Sequence, residues 1–224
     1  MSNEIFVRNI ALLGEEDFIC LQTKKVLVAG LGGVGGTTFE ALVRTGVKNF
    51  LIVDRDVVDP TNLNRQLLYT SNDIGKDKVL CAKNRALSIN KDASIIALKE
   101  DIKNLDNLEV DFIVDCIDDV EAKIYLINYA LTHNIPIISS MGMANKVDPS
   151  KIKIASLNKS TGDPLAKKMR YELKKANIDY SNLMCVYSDE APYKDGNKLY
   201  SLVTVTSTAG LLIANYVVNV LKRN

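Results

Sequence analysis

Gly30, Gly32 and Gly35 stand at the spacing G-x-G-x-x-G, directly after the apolar run Val26-Leu27-Val28-Ala29. Glycines at these places let a chain turn tightly out of a buried strand. They also let a phosphate approach the N-terminus of the next helix, where free N–H groups point at anions. Asp54 follows about twenty residues on, closing a second apolar run from Phe50 to Val53, where a carboxylate can accept hydrogen bonds from ribose hydroxyls. Asp56, Asn64, Arg65 and Gln66 lie just past this acid, and Lys78 stands at the start of the next helical segment. A hydride-transfer site needs no such cluster of charge beyond the pyrophosphate. Arginine and lysine here can neutralise a triphosphate and stabilise the charge that builds on departing pyrophosphate. Asp118 closes the run Asp115-Cys116-Ile117-Asp118 beyond a further apolar segment. A carboxylate there suits Mg²⁺, which bridges phosphates while keeping several waters. It equally suits the N-cap of a helix starting near Val120.

The elements that must position these residues follow from periodicity. Val26–Ala29 has the continuous apolar character of a strand buried on both faces of a parallel sheet. A helix over Val34–Thr45, a strand over Phe50–Val53 and a polar loop from Asp54 to Asn64 succeed it. Lys76 to Ile89 reads as an amphipathic helix, with Asn72, Asp73 and Gly75 as cap material. Strands Ser94–Leu98, Phe112–Val114 and Ile135–Ser139 alternate with a helix from Val120 to Leu131. Ahead of the sheet, Asn3 to Leu21 reads as two short helices broken at Gly14. After Ser140 the texture changes. Met141–Asn145 is small and flexible, Lys151–Leu157 alternates as a strand, and Leu165–Lys175 is a basic helix. Met184–Tyr187 is a strand, a polar loop runs to Asn197, and Thr206–Leu221 closes the chain as an apolar helix. Strands alternating with helices predict an α/β fold with a doubly wound, mainly parallel sheet. It comprises a Rossmann-like nucleotide-binding half and a C-terminal α/β extension, with ligands at the C-terminal strand ends. No repeat or linker divides the chain. It is expected to be one domain over 1–224, with leading helices over 1–24, the nucleotide half over 25–140 and the substrate half over 141–224.

Composition excludes several alternatives. At 224 residues and a net charge of +1, the chain has room for one large core and no overall charge bias toward a partner. Four cysteines (Cys20, Cys81, Cys116, Cys185) form no C-x-x-C pair, which argues against a four-thiolate zinc or a dithiol redox centre. One histidine, His133, excludes a histidine-rich metal site, and its place near a helix end assigns it no chemistry. Each cysteine reads as a small buried hydrophobe. For Cys185, set in Met184-Cys185-Val186-Tyr187, the alternative is a thioester or persulfide nucleophile. The apolar stretch Ala209–Leu221 is too short to span a bilayer and is interrupted by Asn215 and Asn219. Met1 to Arg8 carries Glu4 and lacks a basic-then-apolar signal pattern, so a cytoplasmic enzyme without membrane contact is expected.

GLGGVGG at Gly30–Gly36 (which includes Gly33), Asp54, TNLNRQ at Thr61–Gln66, Lys78 after Gly75 and DCIDD at Asp115–Asp119 together resemble the ubiquitin-activating-enzyme-like, ThiF-type adenylyltransferases. That resemblance covers nearly the whole chain. It implies that Asn64, Arg65, Gln66 and Lys78 contact ATP phosphates, that Asp118 holds Mg²⁺, and that Arg65, Lys78 and Asp118 act in catalysis. It further implies a homodimer in which Arg8 reaches into the partner subunit's ATP site. The stretch Ser139–Lys175, CVYSDE at Cys185–Glu190 and AGLLIA at Ala209–Ala214 look like the tRNA threonylcarbamoyladenosine dehydratases within this group. Those enzymes use ATP to activate a threonyl carboxylate on a modified adenosine of tRNA, which then cyclises with loss of water. KLYSLVTVT at Lys198–Thr206 departs from their Pro-containing segment. The alternatives are an activator of a ubiquitin-like sulfur-carrier protein, whose usual paired C-x-x-C motifs are missing here, and a non-catalytic nucleotide-binding module.

Charge distribution agrees with a nucleic-acid substrate. Lys146, Lys151, Lys153, Lys159, Lys167, Lys168, Arg170, Lys174 and Lys175 face only Asp148, Asp163 and Glu172 in the same segment, a local net of +6. Concentrated basic surface is the footprint of a phosphate backbone, and the lack of an accompanying aromatic run favours backbone grip over base stacking. The other reading of the Lys167–Lys175 run is a solvated helix face.

Overall fold

Seven strands build one sheet in the order β3-β2-β1-β4-β5-β7-β6 in a computed structural model that describes residues 4–196 and 198–222. Asn3 and Asn197, assigned from sequence to the leading helices and to the polar loop, lie outside the described residues, as do the chain's two ends. The elements are α1 (Val7–Leu13), α2 (Glu15–Thr23), β1 (Lys25–Ala29), α3 (Gly33–Thr45), β2 (Asn49–Val53), α4 (Lys78–Ile89) and β3 (Ser94–Leu98). There follow β4 (Phe112–Asp115), α5 (Val120–Thr132), β5 (Ile137–Ser140), β6 (Ile152–Ser156), α6 (Pro164–Lys175), β7 (Met184–Ser188) and α7 (Val203–Leu221).

All pairings are parallel except β6 on β7, which is antiparallel with Ile154 opposite Val186. The sheet is therefore doubly wound and mainly parallel, as the alternation predicts. β1 and β4 are buried along nearly their whole length, which is why Val26–Ala29 and Phe112–Val114 are continuous apolar runs. One apolar layer sits between the sheet and α3, α4 and α7, around Phe39, Phe50, Phe112 and Ile213. The other lies beneath α5 and α6, around Leu126, Met169 and Leu173.

Several boundaries differ for physical reasons. Asn72 and Asp73 do not cap α4. They form a 3₁₀ turn, Ser71–Asp73, whose Asp73 carboxylate accepts from the Thr70 N–H at 2.9 Å, and α4 starts at Lys78 after Asp77. The strand read over Lys151–Leu157 is trimmed by 3₁₀ turns on both sides, the first capped by Asp148. α6 begins at Pro164 with Asp163 as its N-cap, a favourable Pro position. α7 gains a turn at its start, and its 19 residues do meet the length and composition of a membrane span. In the fold it is a core helix that buries Val205, Ala209, Ile213 and Val217, and Gly210 lets it approach α3 closely. A Cβ on Gly210 would lie 2.6 Å from the Val34 carbonyl oxygen.

Candidate active site

Gly30 turns the chain out of β1 with φ of 86°. A Cβ there would sit 2.6 Å from the Cys116 carbonyl oxygen, and one on Gly35 only 1.9 Å from that of Gly30. A Cβ on Gly33 would lie 2.9 Å from Thr206 of α7. Gly32 alone among the four loop glycines has space for one, which would meet only Gln66 Nε2, at 3.9 Å. It is also the N-cap of α3, with no side-chain cap, so the first-turn N–H groups remain available to an anion.

Asp54 braces this loop. Its Oδ2 accepts from the Leu31 N–H at 2.6 Å and its Oδ1 from the Asp56 N–H at 2.9 Å, while the Tyr69 hydroxyl donates to the Leu31 carbonyl at 2.9 Å. Burial pushes the Asp54 carboxyl upward, with the Lys78 ammonium and these N–H groups opposing the shift. A carboxylate has about four acceptor positions, so lone pairs remain for ribose hydroxyls.

The TNLNRQ segment folds over the start of α3. Asp59 and Asn62 close a reciprocal cap on the turn Pro60–Asn62, and Asn64 Nδ2 donates to the Ser201 carbonyl at 3.0 Å. Arg65 is held through one end only: Nη1 donates to the Thr61 carbonyl at 2.7 Å and to Asn64 Oδ1 at 2.9 Å. Gln66 lines the cavity but is 5% exposed, and its Oε1 is buried without a hydrogen-bond partner among the described residues. Lys78 is 5% exposed, and a buried ammonium needs a counter-charge. Asp56 supplies it at 2.9 Å.

Asp118 and Asp119 divide the two roles that sequence leaves open for Asp118. Asp119 is the N-cap of α5, accepting from the Ala122 N–H at 2.8 Å. Asp118 is exposed, and its side chain has no hydrogen bond or ion pair among the described residues. The loop carrying it is anchored from below by a feature sequence does not reveal. Asp115 and Lys123 form a fully buried ion pair at 2.9 Å, and Ser139 donates to Asp115 at 2.5 Å. Asp115 also accepts from the Ile117 N–H at 3.2 Å. Removing one partner of such a pair typically costs about 3–5 kcal/mol, because the other charge stays buried.

Gly30, Gly32, Gly33, Asp54, Asp56, Asn64, Arg65, Gln66, Lys78 and Asp118 all line one cavity of about 1300 Å³, at the C-terminal ends of the central strands. Gly35 stands behind the loop, where it permits the turn. Arg8 is not brought to this cavity; it is exposed on α1.

The C-terminal half corrects the basic surface. Lys146 is internal, with Nζ 3.1 Å from Asp163 and 2.8 Å from the Ser188 carbonyl. Arg170 donates to the carbonyls of Leu157 and Ser160 at 3.1 and 3.0 Å, and Lys153 pairs with Asp189. Lys151, Lys159, Lys167, Lys168, Lys174 and Lys175 remain exposed, and Tyr171, 66% exposed, stands among the helical lysines. The segment Met141–Asn145, small and flexible by composition, is tied down at Asn145, whose hydrogen bonds reach residues 193–200.

Cys185 is fully buried in β7, and burial pushes its thiol up to about 12, so no thiolate is available near neutrality. Cys81 is buried too, but Cys20 and Cys116 are only partly covered; Cys20 Sγ donates to the Leu221 carbonyl at 3.4 Å. Cys185→Ala is therefore expected to leave turnover within a few-fold of wild type in a steady-state assay. Complete loss of activity in a folded variant would restore a covalent role for this thiol.

A glycine loop, an acid at the end of the second strand and a cluster of charged side chains on one mainly parallel sheet fit the adenylyltransferase class. The chain belongs to the ThiF family, whose profile matches residues 6–224. Within it, the chain is 40% identical over 192 residues to the tRNA threonylcarbamoyladenosine dehydratase of Bacillus subtilis, covering 84% of this chain and 75% of that one. It is 32% identical over 200 residues to the Escherichia coli protein of the same name, covering 83% and 74%. The crystal structure of that E. coli enzyme in complex with ATP superposes with a TM-score of 0.93 at 27% identity, covering 98% of this chain and 94% of that one.

Proposed function

We propose that this chain is an ATP-dependent tRNA threonylcarbamoyladenosine dehydratase acting on the modified adenosine of tRNA. The observation that carries the reading is the single cavity in which an uncapped helix start, Asp54, Arg65, Lys78 and a partner-free Asp118 converge, and which continues into the C-terminal half. In this reading ATP seats its ribose on Asp54 and its phosphates on the α3 N-terminus, Asn64, Arg65, Gln66 and Lys78. The substrate carboxylate attacks the α-phosphorus and pyrophosphate departs. A nitrogen of the same modified nucleoside then attacks the acyl carbon, and AMP leaves with the oxygen that is lost as water overall. Holding both reacting groups on one substrate supplies much of the second step, because effective molarities of such closures reach about 10⁵–10⁸ M.

Arg65 and Lys78 stabilise charge on the leaving phosphates. Mg²⁺ binds through one or two carboxylates plus substrate phosphates. Asp118 is the residue that would hold it, and the ion would supply Lewis-acid neutralisation of the phosphate oxygens. Arg8, exposed and away from its own cavity, fits a role at the neighbouring ATP site of a homodimer; exposed Ile5, Val7 and Leu12 lie on the same N-terminal stretch. The enzyme would work in the cytoplasm, on tRNA. The sulfur-carrier reading draws no support from Cys185, which is buried and protonated.

The test is incubation with ATP, Mg²⁺ and tRNA carrying threonylcarbamoyladenosine, followed by mass analysis of the nucleosides. Loss of one water, with release of AMP and pyrophosphate, is expected. Pyrophosphate exchange dependent on a carrier protein's C-terminus, with tRNA unchanged, would overturn the reading.

The exposed α6 lysines provide a second check. Replacing Lys167, Lys168 and Lys174 with alanine should weaken tRNA binding and lower the log–log salt slope by roughly 2 to 3, at about 0.7–0.9 per contact. ATP affinity should not change. An unaltered slope would make this face merely solvated.

A further inference from the structure

The cavity extends beyond the nucleotide-binding wall to a mouth formed by residues 142–146, 192–194, 196 and 199–202. At about 1300 Å³ it exceeds the roughly 300–1,000 Å³ usual for a single small ligand. Tyr193 and Tyr200 line this mouth, 64% and 45% exposed, with ring centroids 6.3 Å apart and planes inclined at 53°. Neither ring belongs to either hydrophobic core, so packing does not explain their position.

They are nevertheless held in place. Asn145, in the left-handed region at φ 60°, accepts from the Tyr193 N–H through its carbonyl at 2.7 Å and donates its own N–H to the Tyr200 carbonyl at 2.8 Å. Its Oδ1 accepts from the Tyr200 N–H at 2.6 Å and its Nδ2 donates to the Lys198 carbonyl at 2.9 Å. The Tyr200 hydroxyl donates to Asp195 at 2.5 Å, fixing the ring. Charge around the mouth is mixed: Lys198 pairs with Asp195 at 3.4 Å and Lys146 with Asp163, while Lys194 forms no ion pair among the described residues. Lys194 is exposed beside Tyr193, and Pro164 at the cavity rim begins the helix that carries the exposed Lys167, Lys168, Lys174 and Lys175.

We propose that Tyr193 and Tyr200 form a stacking platform for an unpaired base of the tRNA, adjacent to the modified adenosine that enters the cavity; this rests on the tRNA reading above. RNA loops are recognised through splayed bases laid on aromatic side chains. The 53° inclination makes an angled wall and not a slot, so a base stacks on an exposed ring face and is not clamped between the two. The basic helix would grip the backbone while the tyrosines seat the loop.

The experiment measures kcat, KM for tRNA carrying threonylcarbamoyladenosine and KM for ATP in Tyr193 and Tyr200 variants. The double alanine variant should raise the tRNA KM by about 10- to 100-fold, the scale of one lost stack, with the ATP KM unchanged. Phenylalanine or tryptophan at both positions should recover most of the tRNA KM despite losing the Tyr200–Asp195 hydrogen bond, and leucine should not, because leucine packs but has no π-face. Restoration by leucine, or a shift in oligomeric state that tracks the loss, would make the patch a protein contact and overturn the platform. Wild-type tRNA KM in the alanine variants, with wild-type turnover intact, would overturn it alone. A wild-type protein that leaves the tRNA unmodified would overturn the functional reading and the platform together.

Discussion

Gly35→Ala is expected to abolish ATP binding, lowering affinity by at least about 100-fold and depressing the melting temperature. The added Cβ would lie 1.9 Å from the Gly30 carbonyl oxygen and 2.9 Å from Cys116 Cβ. The first obstacle is backbone, so no side-chain rotation relieves it. The Gly30 carbonyl must move, and with it the Gly30 N–H bond to Val53 at 2.8 Å and the Leu31 N–H bond to Asp54. Overpacking of a buried site commonly costs about 1–3 kcal/mol, equivalent to roughly 2–4 °C per kcal/mol for a chain of this size. Gly32→Ala separates the two consequences. A methyl group there meets only Gln66 Nε2 at 3.9 Å, and φ of −72° suits alanine. That variant should melt like wild type and still bind ATP weakly, since the methyl group occupies the phosphate's approach. Calorimetric titration and thermal melts read both quantities. Wild-type ATP affinity in Gly35→Ala would mean that the loop is only a tight connection.

Features set by local pattern were legible in the sequence, and features set by distant partners were not. The parallel core could be read because β1 and β4 are buried on both faces and, apart from Lys25 and Asp115 at their ends, lack polar positions. The glycine loop could be read because its spacing reflects close backbone approach. Charge pairing is different, since a composition count cannot tell a surface lysine from a buried one. Lys146 counted toward the basic footprint, yet its partner Asp163 lies seventeen residues away, at the N-cap of α6. Arg170 likewise spends its guanidinium on the carbonyls of Leu157 and Ser160. Lys123 sits in helix α5 where a solvated lysine would be ordinary, and only the fold brings it beneath Asp115. The tyrosine mouth was hidden for the same reason: Asn145 meets residues 193–200 through long-range hydrogen bonds that leave no periodic trace. The strand order placing β6 outside β7 could not be read either, because an alternating run does not name its neighbour.

Asp118→Ala is expected to lower the rate of adenylation by at least about 100-fold while changing the ATP dissociation constant only a few-fold. The side chain is exposed on the cavity wall without a hydrogen bond or ion pair among the described residues, so its removal should leave the fold intact. ATP would retain Asp54, the α3 N-terminus, Arg65 and Lys78 as ground-state contacts. What is lost is help given to the phosphates as negative charge moves onto the departing pyrophosphate, and an interaction stronger in the transition state appears in turnover more than in binding. The neighbouring Asp119→Ala should behave in the opposite way. It removes the α5 N-cap, worth about 0.5–2 kcal/mol, lowering the melting temperature while leaving most of the turnover. Pyrophosphate release at increasing Mg²⁺, measured beside ATP binding and thermal melts, distinguishes the two carboxylates. Near-normal turnover of Asp118→Ala at saturating Mg²⁺ would remove Asp118 from the chemistry, and a larger turnover loss in Asp119→Ala than in Asp118→Ala would reverse the assignment.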